Sequence, residues 1–312
     1  MGEDEAAQVL PTDLRARLGA IGKLAGTGAL ARAGILITSW GSPQLTEKFL
    51  RAAPRLQAVL HAAGSVKHLV TEAVWDRGIV VSSAAEANAG PVAEYTYALI
   101  VLAAKKTLTA ASRYAGDEGR WPGFLDRRGG DGMTVGVVGA SRIGRQVMSR
   151  LRAADAGYRV LLYDPYVDGP YVDGAESVSL ETLCRKSTVV TLHAPELPET
   201  RHLLNADRLA LIPDGGTVIN TARGSLIDTE ALVRECASGR LDAFLDVTDP
   251  EPLPQGHPLL ELPNVLVTPH IAGAQGSEVR RLGVWVVEEA ERWVRGLPLR
   301  GRVEKDELHR LA

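Results

Sequence analysis

The stretch GVVGASRIGRQV, residues 136–147, is one glycine short of a G-x-G-x-x-G loop. Gly139 and Gly144 occupy the first and third glycine positions, and Ser141 stands at the second. In this motif a strand ends, the chain turns tightly, and a phosphate group binds at the N-terminus of the following helix. Whether the stretch forms such a loop therefore depends on the segments on either side of it.

Those segments have the required order. An apolar run at 134–138 predicts a strand, residues 142–152 predict a helix, and the next strand-like run ends in Asp164. An acid at that place accepts hydrogen bonds from the adenosine ribose and repels a 2′-phosphate. A chance match in a glycine-rich chain is disfavoured because strand, helix and acid all fall in register. We predict a site for NAD(H) in which Ser141 is tolerated and can donate to a phosphate oxygen.

Strand-like and helix-like runs alternate along most of the chain. Three apolar runs lie at 35–40, 56–64 and 78–84, and TVGVVG, RVLLYD, TVVTLHA, GTVINTA, LDAFLDV and NVLVTPH follow after residue 133. A long apolar helix is predicted over 91–106, with Pro91 in its first turn, and a loop over 116–132. Parallel βαβ units of the α/β class are therefore expected.

The overall composition excludes several classes of partner. The 312 residues carry a net charge of −3 with 23% charged residues, which gives no basic field for nucleic acid or an anionic membrane. No apolar run reaches the length of a membrane span or a signal peptide, so a cytoplasmic location is predicted. Cys184 and Cys236 are too few for a disulfide framework, and no metal site is expected. A small-molecule substrate is the expected partner.

Three motifs at or near strand ends carry residues suited to chemistry. NTARGSLID, LDVTDPEPLP and TPHIAG contain Arg223, Glu251 and His270. Reduction of a 2-oxo acid needs a cation for the carboxylate and a proton donor for the developing alkoxide, and a carboxylate beside the donor keeps an imidazole protonated. Singly, each residue is more often a strand cap, a solvated acid or a core histidine. Together, after a cofactor loop, they favour a catalytic set.

These motifs resemble those of the D-isomer-specific 2-hydroxyacid dehydrogenases. The resemblance runs from about residue 33 to about 276 and rests on VGVVGASRIGR, YDP, LHAPELPETRHLLN, INTARGSLID, LDVTDPEPLP and TPHIAG. It implies two Rossmann-like domains with parallel sheets, one flavodoxin-like and one NAD-binding, with a cleft between them. The substrate-binding domain would be residues 1–103 plus 275–312, and the NAD-binding domain 104–274. Helices 91–106 and 276–296 would connect them, and a homodimer is expected.

The resemblance also implies roles for individual residues. Arg223 would bind the substrate carboxylate, with His270 as the acid/base and Glu251 as its partner. The cofactor would be NAD, held by Gly139, Ser141, Arg142, Ile143, Gly144, Asp164, Thr221, Ala222, Asp246 and Gly273. His193 would lie in a loop on the cofactor side, where it would either contact the cofactor or serve a purely structural role. Gly64, Ser65, Val66 and Asn88 would join Arg223 in binding the substrate.

The implied reaction is hydride transfer between NAD(H) and C2 of a 2-oxo or D-2-hydroxy acid. Two alternatives stay open: an NAD-dependent formate- or phosphite-type dehydrogenase on the same scaffold, and an NAD-sensing, corepressor-like binding protein. Thr248 stands where relatives carry an aromatic residue, and SWGSP lacks the arginine of phosphoglycerate-using relatives. That absence argues against a phosphorylated substrate. The choice of acid depends on loops 39–44, 62–68 and 116–132.

Overall fold

The chain divides into two compact units in the computed structural model, which describes residues 2–116, 123 and 127–308. The first unit comprises Met1–Pro91 and Gly273–Ala312, and the second comprises Val92–Ala272. The first boundary falls earlier than the predicted one at residue 103, and the second lies close to the predicted 274. The assignment of one unit to substrate and the other to cofactor stays a prediction.

The second unit is built on an eight-stranded sheet. Its strands are β4 Thr134–Val138, β5 Arg159–Tyr163, β6 Tyr171–Val172, β7 Ala175–Ser177, β8 Val189–Leu192, β9 Gly216–Asn220, β10 Leu241–Leu245 and β11 Val265–Val267, in the order β11-β10-β9-β8-β4-β5-β7-β6. All neighbouring strands pair in parallel except β6 and β7. The helices are α6 Thr107–Gly116, α7 Arg142–Ala153, α8 Leu180–Lys186, α9 Ala206–Leu211 and α10 Thr229–Ala237. The α/β class and all six predicted strands of this half are confirmed.

Burial on both faces explains why these strands read as continuous apolar runs. Every residue of β8, β9 and β10 is buried. Side chains alternate between two core clusters, with Val138 in one and Val135 and Val137 in the other. A parallel sheet covered on both faces requires this pattern, because neither face meets water. Because the strands are parallel, their carboxyl ends meet at the same edge of the sheet, and the candidate motifs lie at that edge.

The first unit holds a smaller sheet in the order β1-β2-β3-β12. Its elements are α1 Glu3–Val9, α2 Thr12–Ile21, β1 Ile35–Thr38, α3 Glu47–Ala52, β2 Ala58–His61, α4 Glu72–Asp76, β3 Val80–Ser83, α11 Val279–Val294 and β12 Arg302–Val303. β1, β2 and β3 are parallel, and β12 is antiparallel to β3. The buried Glu289 carboxylate accepts from the Ser82 hydroxyl (2.7 Å) and the Gly301 N–H (3.1 Å). This carboxylate thus fastens the last strand to the sheet.

The N-terminal segment forms α1 and α2. These helices pack against α11. A Cβ on Gly283 would lie 1.8 Å from the Val9 carbonyl oxygen, so a glycine is required at this crossing. Within the described residues no strand precedes β1.

The prediction that Pro91 lies in the first turn of its helix is wrong. Helix α5 runs from Ala85 to Ala104, so Pro91 sits inside it and Asn88 lies on its first turns. The sequence AEANAG before Pro91 contains good helix formers, and the helix continues although Pro91 has no N–H to donate. α5 ends before Lys106, whose φ of 54° breaks the chain direction ahead of α6. Most of the predicted loop 116–132 lies outside the described residues.

The helix predicted over 276–296 begins later than expected. A 3-10 turn at Gly276–Glu278 precedes α11, which starts at Val279. None of the helices in the described part of the chain is both long and apolar enough to cross a membrane. Cys184 and Cys236 are buried and free, as predicted, and burial raises the pKa of their thiols to about 11 and about 12.

Candidate active site

The loop between β4 and α7 depends on two of its glycines. Gly139 has φ +102°, and a Cβ there would lie 2.8 Å from the Ala194 backbone nitrogen. A Cβ on Gly144 would lie 2.0 Å from the Gly139 carbonyl oxygen. A side chain at either position would therefore displace backbone, which accounts for the first and third glycines of the motif.

The middle position has no such restriction. Ser141 adopts φ −65° and ψ 176°, an extended conformation open to any residue. Its Oγ accepts a hydrogen bond from the Gly144 N–H at 3.3 Å, which makes Ser141 the N-cap of the twelve-residue helix α7. The substitution of serine for glycine therefore adds a cap and costs no backbone strain. Arg142 and Ile143 form the first helical turn, with Arg142 exposed and Ile143 half-buried.

Asp164 directly follows β5 and closes the same loop. Its Oδ2 accepts from the Ala140 N–H at 2.7 Å, and its Oδ1 accepts from the Tyr166 N–H at 2.8 Å. Each carboxylate oxygen retains a further lone-pair direction. The carboxylate thus shapes the loop, and its predicted contact with the cofactor ribose stays a prediction.

The turn after β9 is held by the side chain of Asn220. Its amide donates to the Arg223 carbonyl oxygen at 2.8 Å and accepts from the Ala222 N–H at 3.1 Å. Thr221 is buried and shares a 2.8 Å hydrogen bond with Thr96. A Cβ on Gly224 would lie 2.0 Å from the carbonyl oxygen of Thr248, so the glycine of TARG lets the loop after β10 pack against this turn.

Arg223 emerges half-buried from that turn. Its Nη1 donates to the Ala222 carbonyl oxygen at 2.6 Å. Burial lowers the pKa of the Arg223 guanidinium from its usual value, and the nearby carboxylates of Glu196 and Glu251 oppose this shift. The side chain is therefore a cation flanked by two anions, in a position to bind a small carboxylate.

Glu251 and His270 lie in contact, as the sequence predicts. The Oε1 of Glu251 is 2.6 Å from the Nδ1 of His270, and their side chains are 42% and 52% exposed. His270 has φ +54°, a left-handed conformation that is uncommon outside glycine and asparagine. Its N–H donates to the Asp246 carbonyl oxygen at 3.0 Å. The imidazole is thus presented to solvent from a firmly held turn.

The carboxylate that holds this turn belongs to Asp246. Asp246 is 1% exposed. Its Oδ1 accepts from the Thr268 hydroxyl (2.6 Å) and the Ile271 N–H (2.8 Å), and its Oδ2 accepts from the Ala272 N–H (2.8 Å). All three donors belong to the segment that carries His270. Asp246 therefore positions the turn, and its predicted cofactor contact stays a prediction.

His193 is placed very differently from His270. It is 2% exposed, its Nε2 pairs with the Thr191 hydroxyl at 3.0 Å, and its Nδ1 has no partner among the described residues. Burial lowers the pKa of His193 to about 3, so the ring is neutral. Its backbone packs against Gly139. His193 supports the cofactor loop from beneath, and a direct cofactor contact stays a prediction.

Three of the residues predicted to bind substrate, Gly64, Ser65 and Val66, lie in the loop that follows β2 in the first unit. Asn88, on α5, lies next to this loop and to residue 274: a Cβ on Gly64 would lie 3.3 Å from its Nδ2, and its Oδ1 accepts from the Ala274 N–H at 2.9 Å. A Cβ on Gly273 would lie 3.2 Å from the same Oδ1, so Gly273 belongs to this cluster in the first unit. Asn88 thus acts as a brace between residues 64 and 274.

The loop itself offers backbone donors. Among the hydrogen bonds of the described residues, none uses the N–H of Gly64, Ser65 or Val66. Val66 is buried and anchors the loop in the core, while Gly64 and Ser65 are half-buried. Burial lowers the pKa of the neighbouring His61 to about 4, so this histidine is neutral. The loop is therefore able to receive an anion through its backbone.

Several supporting side chains carry no signal in the sequence. The hydroxyl groups of Thr268 and Thr96 form hydrogen bonds in the site region, and no sequence motif indicates these bonds. Glu196 and Ser225 also form a pair that no motif predicts, with the Ser225 hydroxyl donating to Glu196 at 2.6 Å. Such pairs join residues far apart in the chain, so only the folded structure reveals them.

Comparison with known proteins assigns the chain to a family. Residues 97–272 match the family described as D-isomer specific 2-hydroxyacid dehydrogenase, NAD binding domain. The chain is 36% identical to a glyoxylate reductase of Thermofilum pendens over 74% of this chain and 70% of that protein. It is 33% identical to a D-3-phosphoglycerate dehydrogenase of Methanocaldococcus jannaschii over 85% of this chain. The chain belongs to the D-isomer-specific 2-hydroxyacid dehydrogenases.

A solved structure agrees with this assignment. A D-lactate dehydrogenase of Aquifex aeolicus, crystallised with NAD and lactic acid, is 27% identical and superposes with a TM-score of 0.72, covering 92% of this chain and 94% of that one. The chain spans only 50% of the length of the phosphoglycerate dehydrogenase that it matches. The match to the family's NAD-binding domain covers residues 97–272, which lie within the second unit, and NAD is the cofactor of that domain.

Proposed function

We propose that this protein is an NAD(H)-dependent oxidoreductase that interconverts a 2-oxo acid and the corresponding D-2-hydroxy acid. The observation that carries the proposal is the 2.6 Å pair of Glu251 and His270. Arg223 follows β9, Glu251 follows β10 and His270 follows β11. These three strands are adjacent and parallel, so all three side chains belong to one edge of one sheet. That edge is where open α/β sheets bind ligands.

The loop after β4 fits a dinucleotide. The two indispensable glycines and the capped N-terminus of α7 present backbone N–H groups suited to a pyrophosphate. Gly139, Ser141, Arg142, Ile143 and Gly144 would hold that group, Asp164 the ribose, and Thr221, Ala222 and Asp246 the nicotinamide end. When bound, NADH supplies the hydride that the protein itself lacks.

The remaining chemistry belongs to the chain's own residues. Arg223 binds the substrate carboxylate and polarises the carbonyl oxygen. His270 has its Nδ1 engaged by Glu251, which leaves Nε2 to deliver the proton to the developing alkoxide. Glu251 holds Nδ1 and so fixes the orientation of the ring. The reverse reaction uses the same groups with the proton moving back to Nε2.

The named relatives support a small substrate. A glyoxylate reductase, a phosphoglycerate dehydrogenase and a lactate dehydrogenase all act on short 2-oxo or 2-hydroxy acids. Homodimer formation and a cytoplasmic location belong to the proposal as predictions.

A panel of substrates tests the proposal directly. Oxidation of NADH is followed at 340 nm with glyoxylate, pyruvate, hydroxypyruvate, phenylpyruvate and branched-chain 2-oxo acids, and chiral analysis identifies the product. We expect robust turnover of at least one acid to the D-product. NADH binding without turnover of any acid would overturn the proposal in favour of an NAD-sensing protein. Turnover of formate or phosphite alone would favour the other alternative.

A further inference from the structure

Glu196 lies beside the candidate substrate site and has no role in the proposed reaction. It follows β8 in the segment HAPELPET. The Ser225 hydroxyl donates to its Oε1 at 2.6 Å, and Ser225 is itself buried two positions after Arg223. The carboxylate is therefore tied to the turn that carries the candidate substrate-binding arginine.

The charge of Glu196 is not cancelled by a close cation. In the described part of the chain it forms no ion pair with lysine or arginine within 4.0 Å. Arg201 lines the same cavity, of about 250 Å³, together with Leu197 and Pro198, but its Nη1 pairs with Asp249 at 3.3 Å. Glu196 is exposed to solvent in this cavity. It consequently presents a net negative charge near Arg223.

We infer that Glu196 is a specificity-determining residue that selects 2-oxo acids with a single negative charge. This inference rests on the proposed function. A substrate carboxylate bound to Arg223 brings the rest of the acid into the field of Glu196, and a second carboxylate or a phosphate there meets like-charge repulsion. The Glu196 carboxylate opposes the lowering of the Arg223 pKa by burial, as a carboxylate close to the guanidinium does.

The size of the effect follows from Coulomb's law. Two like charges several ångströms apart near a protein surface repel enough to reduce binding by about three- to tenfold. Because the cavity is open to solvent, added salt weakens that repulsion. Discrimination between acids of one and two charges should therefore fall as ionic strength rises.

The test compares two five-carbon acids, the dianion 2-oxoglutarate and the monoanion 2-oxopentanoate. We expect Glu196→Gln to raise kcat/KM for 2-oxoglutarate relative to 2-oxopentanoate about three- to tenfold, and to remove the salt dependence of that ratio. Glu199→Gln is the matched control, because Glu199 is an exposed carboxylate in the same segment that contacts only the Tyr166 hydroxyl (3.5 Å) among its described hydrogen bonds. It should leave the ratio unchanged.

A second variant separates charge from structure. Ser225→Ala removes the hydrogen bond and keeps the carboxylate, so most of the preference for the monoanion should persist. A shift as large as that of Glu196→Gln would mean that the hydrogen bond, not the charge, decides, and would overturn the inference. An unchanged ratio in Glu196→Gln, with normal turnover of 2-oxopentanoate, overturns it as well. Wild-type protein that reduces no 2-oxo acid at all would instead refute the proposed function, and the inference with it.

Discussion

The turns after β8 and after β11 each carry a histidine, and the fold treats the two rings in opposite ways. His193 is 2% exposed, with one nitrogen on a threonine hydroxyl and burial lowering its pKa to about 3. The side chain of His270 is 52% exposed and has a carboxylate at 2.6 Å. The His193 ring is neutral and packs in the core, whereas the His270 ring can exchange a proton with a ligand. Burial and partner, rather than residue type, decide which histidine is available for chemistry.

The same division runs through the other polar residues of the second unit. The side-chain oxygens of Ser141 and Asp246 accept hydrogen bonds from backbone N–H groups of neighbouring turns. The side chains of Arg223 and Glu251 each form one hydrogen bond among the described residues, to the Ala222 carbonyl oxygen and to His270.

The largest effect is expected at His270. His270→Asn should reduce kcat about 10²–10⁴-fold, because a general acid in the transition state contributes that much. Asparagine tolerates the left-handed backbone at φ +54°, so the turn should persist and NADH affinity should change little. Turnover and NADH fluorescence titration measure the two quantities.

His202→Asn is the control for that substitution. His202 also has a left-handed backbone, with φ +50°, and forms no part of the proposed catalytic set. Its replacement should leave kcat nearly unchanged. Retained turnover in His270→Asn would refute the role of His270 as the proton donor.

The next effect is expected at the carboxylate that holds the His270 turn. Asp246→Asn places an N–H₂ group against the Ala272 N–H or the Thr268 and Ile271 donors. We expect kcat to fall about 10–100-fold through misplacement of His270, and the free energy of unfolding to fall by about 1–3 kcal/mol. Steady-state kinetics and urea denaturation check both. A loss of NADH affinity equal to the loss of kcat would show that the proposed cofactor contact of Asp246, and not its hold on the His270 turn, limits turnover.

The buried histidine should appear in the pH dependence of stability. The folded-state pKa of His193 lies below that of the unfolded chain, so between about pH 6.5 and 3 the unfolded state binds more protons and stability falls as pH falls. From pH 7 to pH 5 the cost is about 2 kcal/mol for this residue. In His193→Asn this contribution should be absent from the slope of unfolding free energy against pH. An unchanged slope would mean that His193 titrates normally.

The smallest effect is expected at the glycine-loop serine. Ser141→Gly removes the hydroxyl that caps α7. Because glycine is nearly as good an N-cap, the free energy of unfolding should fall by only about a few tenths of a kcal/mol. The dissociation constant for NADH should change by less than about threefold, since the backbone of this residue is already extended. Isothermal titration of both proteins measures it. A tenfold change in the dissociation constant, in either direction, would show that the side chain at position 141 affects binding of the pyrophosphate.

Local pattern was sufficient to predict most of the fold. The runs TVGVVG and LDAFLDV identify buried parallel strands because their residues are apolar on both faces of the sheet. The start of α5 was missed because a proline is the usual signal of a first turn, whereas here Pro91 lies in the helix interior. Alternation and turn residues act over a few positions, so the sequence displays them directly.

For this protein, then, sequence alone determined the α/β class, the glycine loop and the family. It also predicted the candidate set of Arg223, Glu251 and His270. Only the tertiary structure decided what each polar group does. It buried His193, made Asp246 the anchor of the His270 turn, turned Ser141 into a helix cap and placed Glu196 on Ser225. These outcomes depend on burial and on contacts between residues distant in the chain, which no local pattern encodes.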